Sequence, residues 1–400
     1  MADFVAWRFL IFVAIFGMLV YLQFYLAHRE WRKLKGEQAS DIDVNYVRTE
    51  DYFAQSFRMK AQDWLKLPSS VDDQGATVIV KGNERIRLLE NLGIAADGSC
   101  RDIVITEHDF SCGPRSTMTR EIWARGNAVV GSESRLQALA ADGAVDLGEN
   151  VTIARWLDSN GPLTIGAGCR VGARITSRAR ILLGTGAEIR SAFAPEIGSA
   201  GWDGKVTHGD PAQFTLLDLD LSQDSADVGR QMAAAGLSQD RLLQLGPDTW
   251  IYRGDLAPSV AIRLKTNLVV KGDCFLPAAC VLEADLRADG SLFLGPSCVS
   301  HGNLIADGDI FLGRSCQFSG LVHAGKSALF SQWTRGFNPQ ATVAVYADEN
   351  MSLETDVAVG GKIAAGGRVE VVDSTGAFEW KARRGIGEKD LRVLAKGQGS

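Results

Sequence analysis

The sequence predicts an all-β fold, a triangular parallel β-helix whose 18-residue coils each consist of three hexads. Three observations predict it. Gly272, Gly290 and Gly308 recur every 18 residues, as do Cys280, Cys298 and Cys316, and Phe275, Phe293 and Phe311. Every sixth residue from Leu256 through Ile262, Cys274, Leu286 and Ile310 to Ala328 is apolar, thirteen in an unbroken column. Small residues recur two before that column, at Ala284, Gly290, Gly302, Gly308 and Gly320. A fixed period of this length marks a solenoid. Residues two apart on a short strand point the same way, so the fifth position of one hexad and the first of the next face inward. The small third residue turns the corner. Stacked coils then hydrogen-bond at ~4.8 Å spacing into three parallel sheets.

Residues 71–189 form a first solenoid part. Leu147, Ile153, Ile165, Val171, Leu183 and Ile189 hold position one, with Ser159 and Ser177 as exceptions. Val151, Leu157, Leu163, Cys169, Ile175, Ile181 and Ala187 hold position five. Val78–Val80 and Ile103–Ile105 read as strands of irregular early coils. A second part occupies residues 252–378, three residues out of phase with the first. Between them, residues 190–251 carry Gly201-Trp202-Asp203-Gly204, an Asp/Ser-rich run and a helical stretch near Ala226–Leu245, with a start signal at Ser238. They read as an insertion looping out of one stack that resumes at Tyr252. Two separate solenoids joined by a linker are the alternative.

The N-terminal residues 1–35 predict a membrane anchor with a basic flank. Phe9–Leu26 is interrupted only by Gly17 and Gln23, and with Phe4–Trp7 the apolar stretch over residues 4–26 reaches the ~20 residues a bilayer requires. Trp7, Tyr21, Tyr25 and Trp31 lie towards its ends, where interfacial aromatics belong. A cleaved signal peptide fits less well, since no small-x-small site follows. Arg29, Arg32, Lys33 and Lys35 outnumber Arg8, which places the solenoid on the cytoplasmic side of an inner, cytoplasmic membrane as a single-pass protein. Residues 36–70 are a juxtamembrane segment. In it Phe53, Phe57 and Trp64 share a helical face that would cap the first coil, or else lie on the membrane surface. Residues 379–400 form a basic tail.

A net charge of −6 with pI near 5.5 gives no basic footprint for nucleic acid. Seven cysteines without a CxxC pair argue against a disulfide framework and a zinc ribbon. Stacked at 18 residues, Cys280, Cys298 and Cys316 lie within reach of a disulfide or a metal, but a small apolar residue in a packed column explains them better.

Gly290–Lys326, GSLFLGPSCVSHGNLIADGDIFLGRSCQFSGLVHAGK, and Gly254–Asp273 resemble the bactofilins, the polymer-forming cytoskeletal proteins. The resemblance covers 127–189 and 252–372. It implies a β-helix of this coil length that self-assembles into a scaffold near the membrane. The chain is longer than one such domain, carries the insertion, and has flanking helices that would cap the open ends on which stacking depends. Ile165–Ile175, IGAGCRVGARI, is similar to the hexapeptide-repeat acyltransferases, which implies a trimer with a histidine base at the subunit interface.

Of five histidines, His28, His108, His208, His301 and His323, none stands beside a second catalytic group in the sequence, and no nucleophile-elbow, zinc-protease or phosphate-loop motif appears. The chain therefore reads as a scaffold rather than an enzyme, with no catalytic, cofactor or metal residues assigned. The interaction site is the outward column Phe275, Phe293, Phe311 and Leu329, against polar Asp146 and Thr164 and apolar Leu182 on the equivalent face of the first part. An apolar stripe of this kind is seldom left bare. Cover by the insertion helix or the C-terminal segment competes with contact to another copy, a partner or the bilayer. An acyltransferase-like enzyme using His301 or His323, and a cell-envelope adaptor of opposite topology, are the other readings.

Overall fold

A computed structural model describes residues 49–72, 76–204 and 215–373, together with Met18, Tyr21 and Tyr25. Residues 1–52 and 53–400 form two compact units. In the first, Met18, Tyr21 and Tyr25 are helical and exposed, and the two tyrosine rings stack at 6.3 Å. No helix among the described residues is long and apolar enough to cross a membrane. The expected span at 4–26 lies outside the described residues except for those three, and the basic tail at 379–400 lies outside them entirely.

The second unit is a β-solenoid of about 15 turns. Its strands pair in parallel at the predicted step of 18, as in Cys274–Leu276 with Leu292–Leu294 and then Ile310–Leu312. All thirteen residues of the predicted inward column are at most 2% exposed. The two serines that break the first column are also inside, where their hydroxyls donate to main-chain carbonyls. Ser159 donates to Gly143 at 2.7 Å and Ser177 to Gly161 at 2.8 Å. Several coils turn one corner with a residue near φ +60°, among them Ala279, Ser297 and Ser315.

The halves meet differently from the expected continuous stack. The strand Glu188–Ser199 runs past the predicted boundary at 189 and pairs antiparallel with Ala358–Val371. Glu188 faces Glu370, Ala192 faces Ile363 and Gly198 faces Ala358, so the last coil of one half abuts the last coil of the other on every face. One core cluster runs through both halves. The physical reason is that both terminal coils carry unpaired edges, and each edge satisfies the other.

Because the second half runs back towards the first, the insertion does not simply loop out. It delivers the chain to the far end of the second half and closes it. The strand Leu217–Leu219 pairs with Ile262–Leu264, and helix α2 (Ser225–Ala234) follows with Asp224 as its N-cap. Leu219, Leu221, Val228, Met232 and Leu237 join the main core there. The helical stretch expected to run to Leu245 ends at Ala234. A single 3-10 turn at Gln239–Arg241 and a strand at Leu242–Gln244 replace the rest. Ser238 makes no side-chain cap bond, and the Leu242–Gln244 strand pairs with Thr249–Tyr252 instead.

Helix α1 (Tyr52–Trp64) also departs from expectation. Instead of capping the first coil it lies along a side face. Ala54, Phe57, Ala61 and Trp64 pack on Ile79, Ile86, Ile105, Trp123, Ala140 and Trp156, which belong to several successive coils. These outward side chains are apolar in the early coils, and α1 is the layer that buries them. Its anchor is Arg58, which bonds Asp142 at 2.9 Å, Asp158 at 2.5 Å and the Ala141 carbonyl at 3.0 Å. Trp123 Nε1 donates to Asp142, and the Thr176 hydroxyl donates to Asp158, completing the network.

Candidate functional site

The predicted interaction column is present as a ladder. Phe275, Phe293, Phe311 and Leu329 align by strand register on successive coils. The first two rings stack at 4.8 Å, nearly parallel at 4°. The column is covered rather than bare: Phe293 is 7% exposed, Phe311 4% and Leu329 0%. Val372 packs against it. The insertion helix is not involved, because its apolar side chains belong to the core at the end of the half.

The antiparallel junction changes which first-half face is equivalent. Beyond Leu329 the column continues through Ser352 and Glu370, crosses to Glu188, and goes on through Arg170, Thr152 and Arg135. The Asp146–Thr164–Leu182 column aligns instead with Gly198, Ala358, Arg335 and Gln317. At the crossing, Glu188 and Glu370 face one another. Arg170 and Arg368 reach Glu188 at 3.3 Å each, and Arg368 reaches Glu370 at 3.0 Å, which offsets the like-charge contact.

On the second of these faces, the junction leaves a half-open cavity of about 460 Å³. Pro195, Glu196 and Trp202 come from the end of the first half; Val299, His301, Phe318, Arg335 and Phe337 come from the second. A turn at Ser199–Trp202, closed by Trp202 N–H to Ser199 C=O, folds the indole back over the strand. Only glycine permits this, since a Cβ on Gly198 would lie 2.2 Å from the ring. Gly336 has the same role under Phe318, whose ring would be 2.3 Å from a Cβ.

Arg335 and Glu196 are the charged side chains in the lining of the cavity. The Arg335 guanidinium stacks on Trp202 at 4.0 Å. Nη1 donates to the carbonyls of Thr334 and Asp356, whereas Nε is buried without a hydrogen-bond partner among the described residues. Burial lowers its pKa from the usual arginine value, and the nearby carboxylates of Asp356 and Asp203 oppose that. Glu196 is engaged, since Trp202 Nε1 donates to it at 2.5 Å.

The histidines do not converge. His301 lines the cavity, His323 pairs with Asp348 at 3.1 Å on the outer surface, and His108 is exposed in an early coil. His28 and His208 lie outside the described residues. The cysteine column is inside, with all three thiols free. Cys298 donates to Pro277 C=O and Cys316 to Gly295 C=O, both at 3.2 Å. Burial pushes the Cys298 thiol far above its ordinary range. Among the described residues no cluster of histidine, cysteine and carboxylate is arranged to hold a metal.

The apolar columns leave unannounced a polar layer at the corners. Asp, Asn and Ser side chains at corners accept the main-chain N–H of the equivalent residue one coil on. Asp255 accepts from Asp273, Asp273 from Ser291, Ser291 from Asp309 and Asp309 from Ser327. A second ladder runs through Asn267, Asp285, Asn303 and Leu321. Its signal was the same 18-residue spacing, carried by polar instead of apolar residues.

Comparison with protein families, with curated proteins and with solved structures finds no match to this chain.

Proposed function

We propose that the chain is a bactofilin-like scaffold, a stiff rod that is held at a membrane through residues 4–26 and presents its side faces to partners. The observation that carries this reading is the antiparallel junction, which fuses two solenoids into one body with a single continuous core. A rod of this kind resists bending because each interior coil is hydrogen-bonded to both neighbours. The exposed Met18, Tyr21 and Tyr25, spaced three and four apart on a helix, suit an apolar surrounding.

Self-association is limited on this reading to one end. Helix α2 closes the far end of the second half. At the other end, Leu92–Ile94 and Ser99–Cys100 pair only with the following coil among the described residues, with Leu92, Ile94 and Cys100 half-buried. One free end gives a closed two-fold pair and no filament. The full chain in detergent should have the mass of a dimer by light scattering, and Ile94→Lys should reduce it to a monomer with its circular dichroism unchanged. Long filaments, or a monomeric wild type, would count against this form of the scaffold reading. Reporter fusions on either side of residues 4–26 test the cytoplasmic placement of the solenoid, the opposite result favouring an envelope adaptor.

A further inference from the structure

We propose that the cavity at the junction binds a small carboxylate with an apolar, aryl-sized body. This goes beyond the scaffold reading and does not depend on it. The recognition element is Arg335. Its two protein hydrogen bonds among the described residues both leave from Nη1, and both go to main-chain carbonyls. The opposite edge of the fork contains Nε, a buried donor with no acceptor among the described residues. A buried unpaired donor is costly unless something accepts from it, and a carboxylate meets the fork with two parallel bonds. Trp202 holds the guanidinium plane by stacking at 4.0 Å, so the fork is pre-set rather than mobile.

The rest of the cavity selects the body. Val299, Phe318, Phe337 and Val359 give it apolar walls, and Phe337 is 64% exposed at the rim. A volume of about 460 Å³ lies within the range of small-molecule sites. Asp203 and Asp356 already offset part of the arginine charge, so net attraction is weak. Affinity then rests on the fork geometry together with ring contacts, which excludes simple inorganic anions as good ligands. The site exists only because the halves meet: Trp202 and Glu196 belong to one half, Arg335 and Phe337 to the other. A ligand there bridges the junction and stabilises it by mass action.

The test uses the full chain in nanodiscs, with 3-phenylpropionate as probe and ligand-observed NMR as readout, empty nanodiscs serving as the blank. The acid should bind saturably, and its primary amide should bind at least about tenfold more weakly. Arg335→Lys keeps the charge and loses the fork; it should weaken the acid by a similar factor. Phe337→Ser, at the exposed rim, should weaken acid and amide alike without moving the melting temperature. N-acetylphenylalanine forms a further arm: tighter binding than 3-phenylpropionate identifies a peptide C-terminus as the source of the carboxylate, and weaker binding identifies a free acid. Equal binding of acid and amide, an unaffected Arg335→Lys variant, or no binding up to about 10 mM would overturn the proposal.

Discussion

The two halves of the solenoid use the same coil and finish it in opposite ways. The first half is covered along a side, by α1 lying across outward Ile105, Trp123 and Ala140 and tied down through Arg58. The second is closed at an end, by α2 and the segments around it. On the face they share, the outward column is aromatic and buried in the second half, at Phe293 and Phe311, and polar in the first, at Arg170, Thr152 and Arg135. The inward columns of the two halves are nearly interchangeable. A repeat thus fixes the inside of a solenoid and leaves each outer face free to take up a separate task.

The sharpest way to break the contrast is Arg58→Met. It removes the Arg58 guanidinium from Asp158, which is only 5% exposed. Removing one partner of a buried ion pair costs about 3–5 kcal/mol. The expected result is loss of hydrogen-exchange protection in α1 and the early coils, with the amides of 274–330 still protected. Uniform loss across both halves would mean that the halves do not differ in this way.

Phe311→Ser probes the shared face. Truncating a buried aromatic should cost about 3 kcal/mol in denaturant unfolding, while Thr152→Ala on the same face of the first half should stay within about 0.5 kcal/mol. Equal effects would remove the distinction between a covered and an open column. Asp273→Ala is expected to cost about 1 kcal/mol, because the N–H of Ser291 loses its acceptor. Asn127→Ala should cost about the same in the first half, where its side chain accepts from Ala144 N–H, since the corner ladder is common to both.

The smallest effect is at neutral pH, for the cysteines. Burial raises the Cys274 and Cys298 thiols well above the ordinary value of 9.0. The neutral form is therefore favoured in the folded state. Its stabilising contribution is complete below that ordinary, unfolded-state value and is lost as pH rises above it. Native Cys298 should not react with Ellman's reagent at pH 8. Cys298→Ala should flatten the fall in stability between about pH 9 and 11. Fast labelling of native Cys298 would contradict its place in the core.

Much of this was legible in the chain. The thirteen-residue column, the three-residue phase shift and the Phe275–Phe293–Phe311 spacing are all direct readings of the period. The Arg335 cavity was not, because Trp202 and Arg335 are 133 positions apart and belong to no common repeat. Nor was the side-on seat of α1: Arg58 meets Asp142 and Asp158 across separations of 84 and 100 residues, which no local pattern encodes.

The coil is written in the order of residues: its length, its inward columns, its corners and where the pattern breaks. These follow from alternation along a strand and from repetition, both local properties. Tertiary structure alone decided the direction of the second half, the antiparallel seam between Glu188–Ser199 and Ala358–Val371, and hence which faces line up and where a cavity opens. A parallel coil edge and an antiparallel one expose the same main-chain donors and acceptors, so either way of joining satisfies the same hydrogen bonds. Only the packing of the whole chain selects between them.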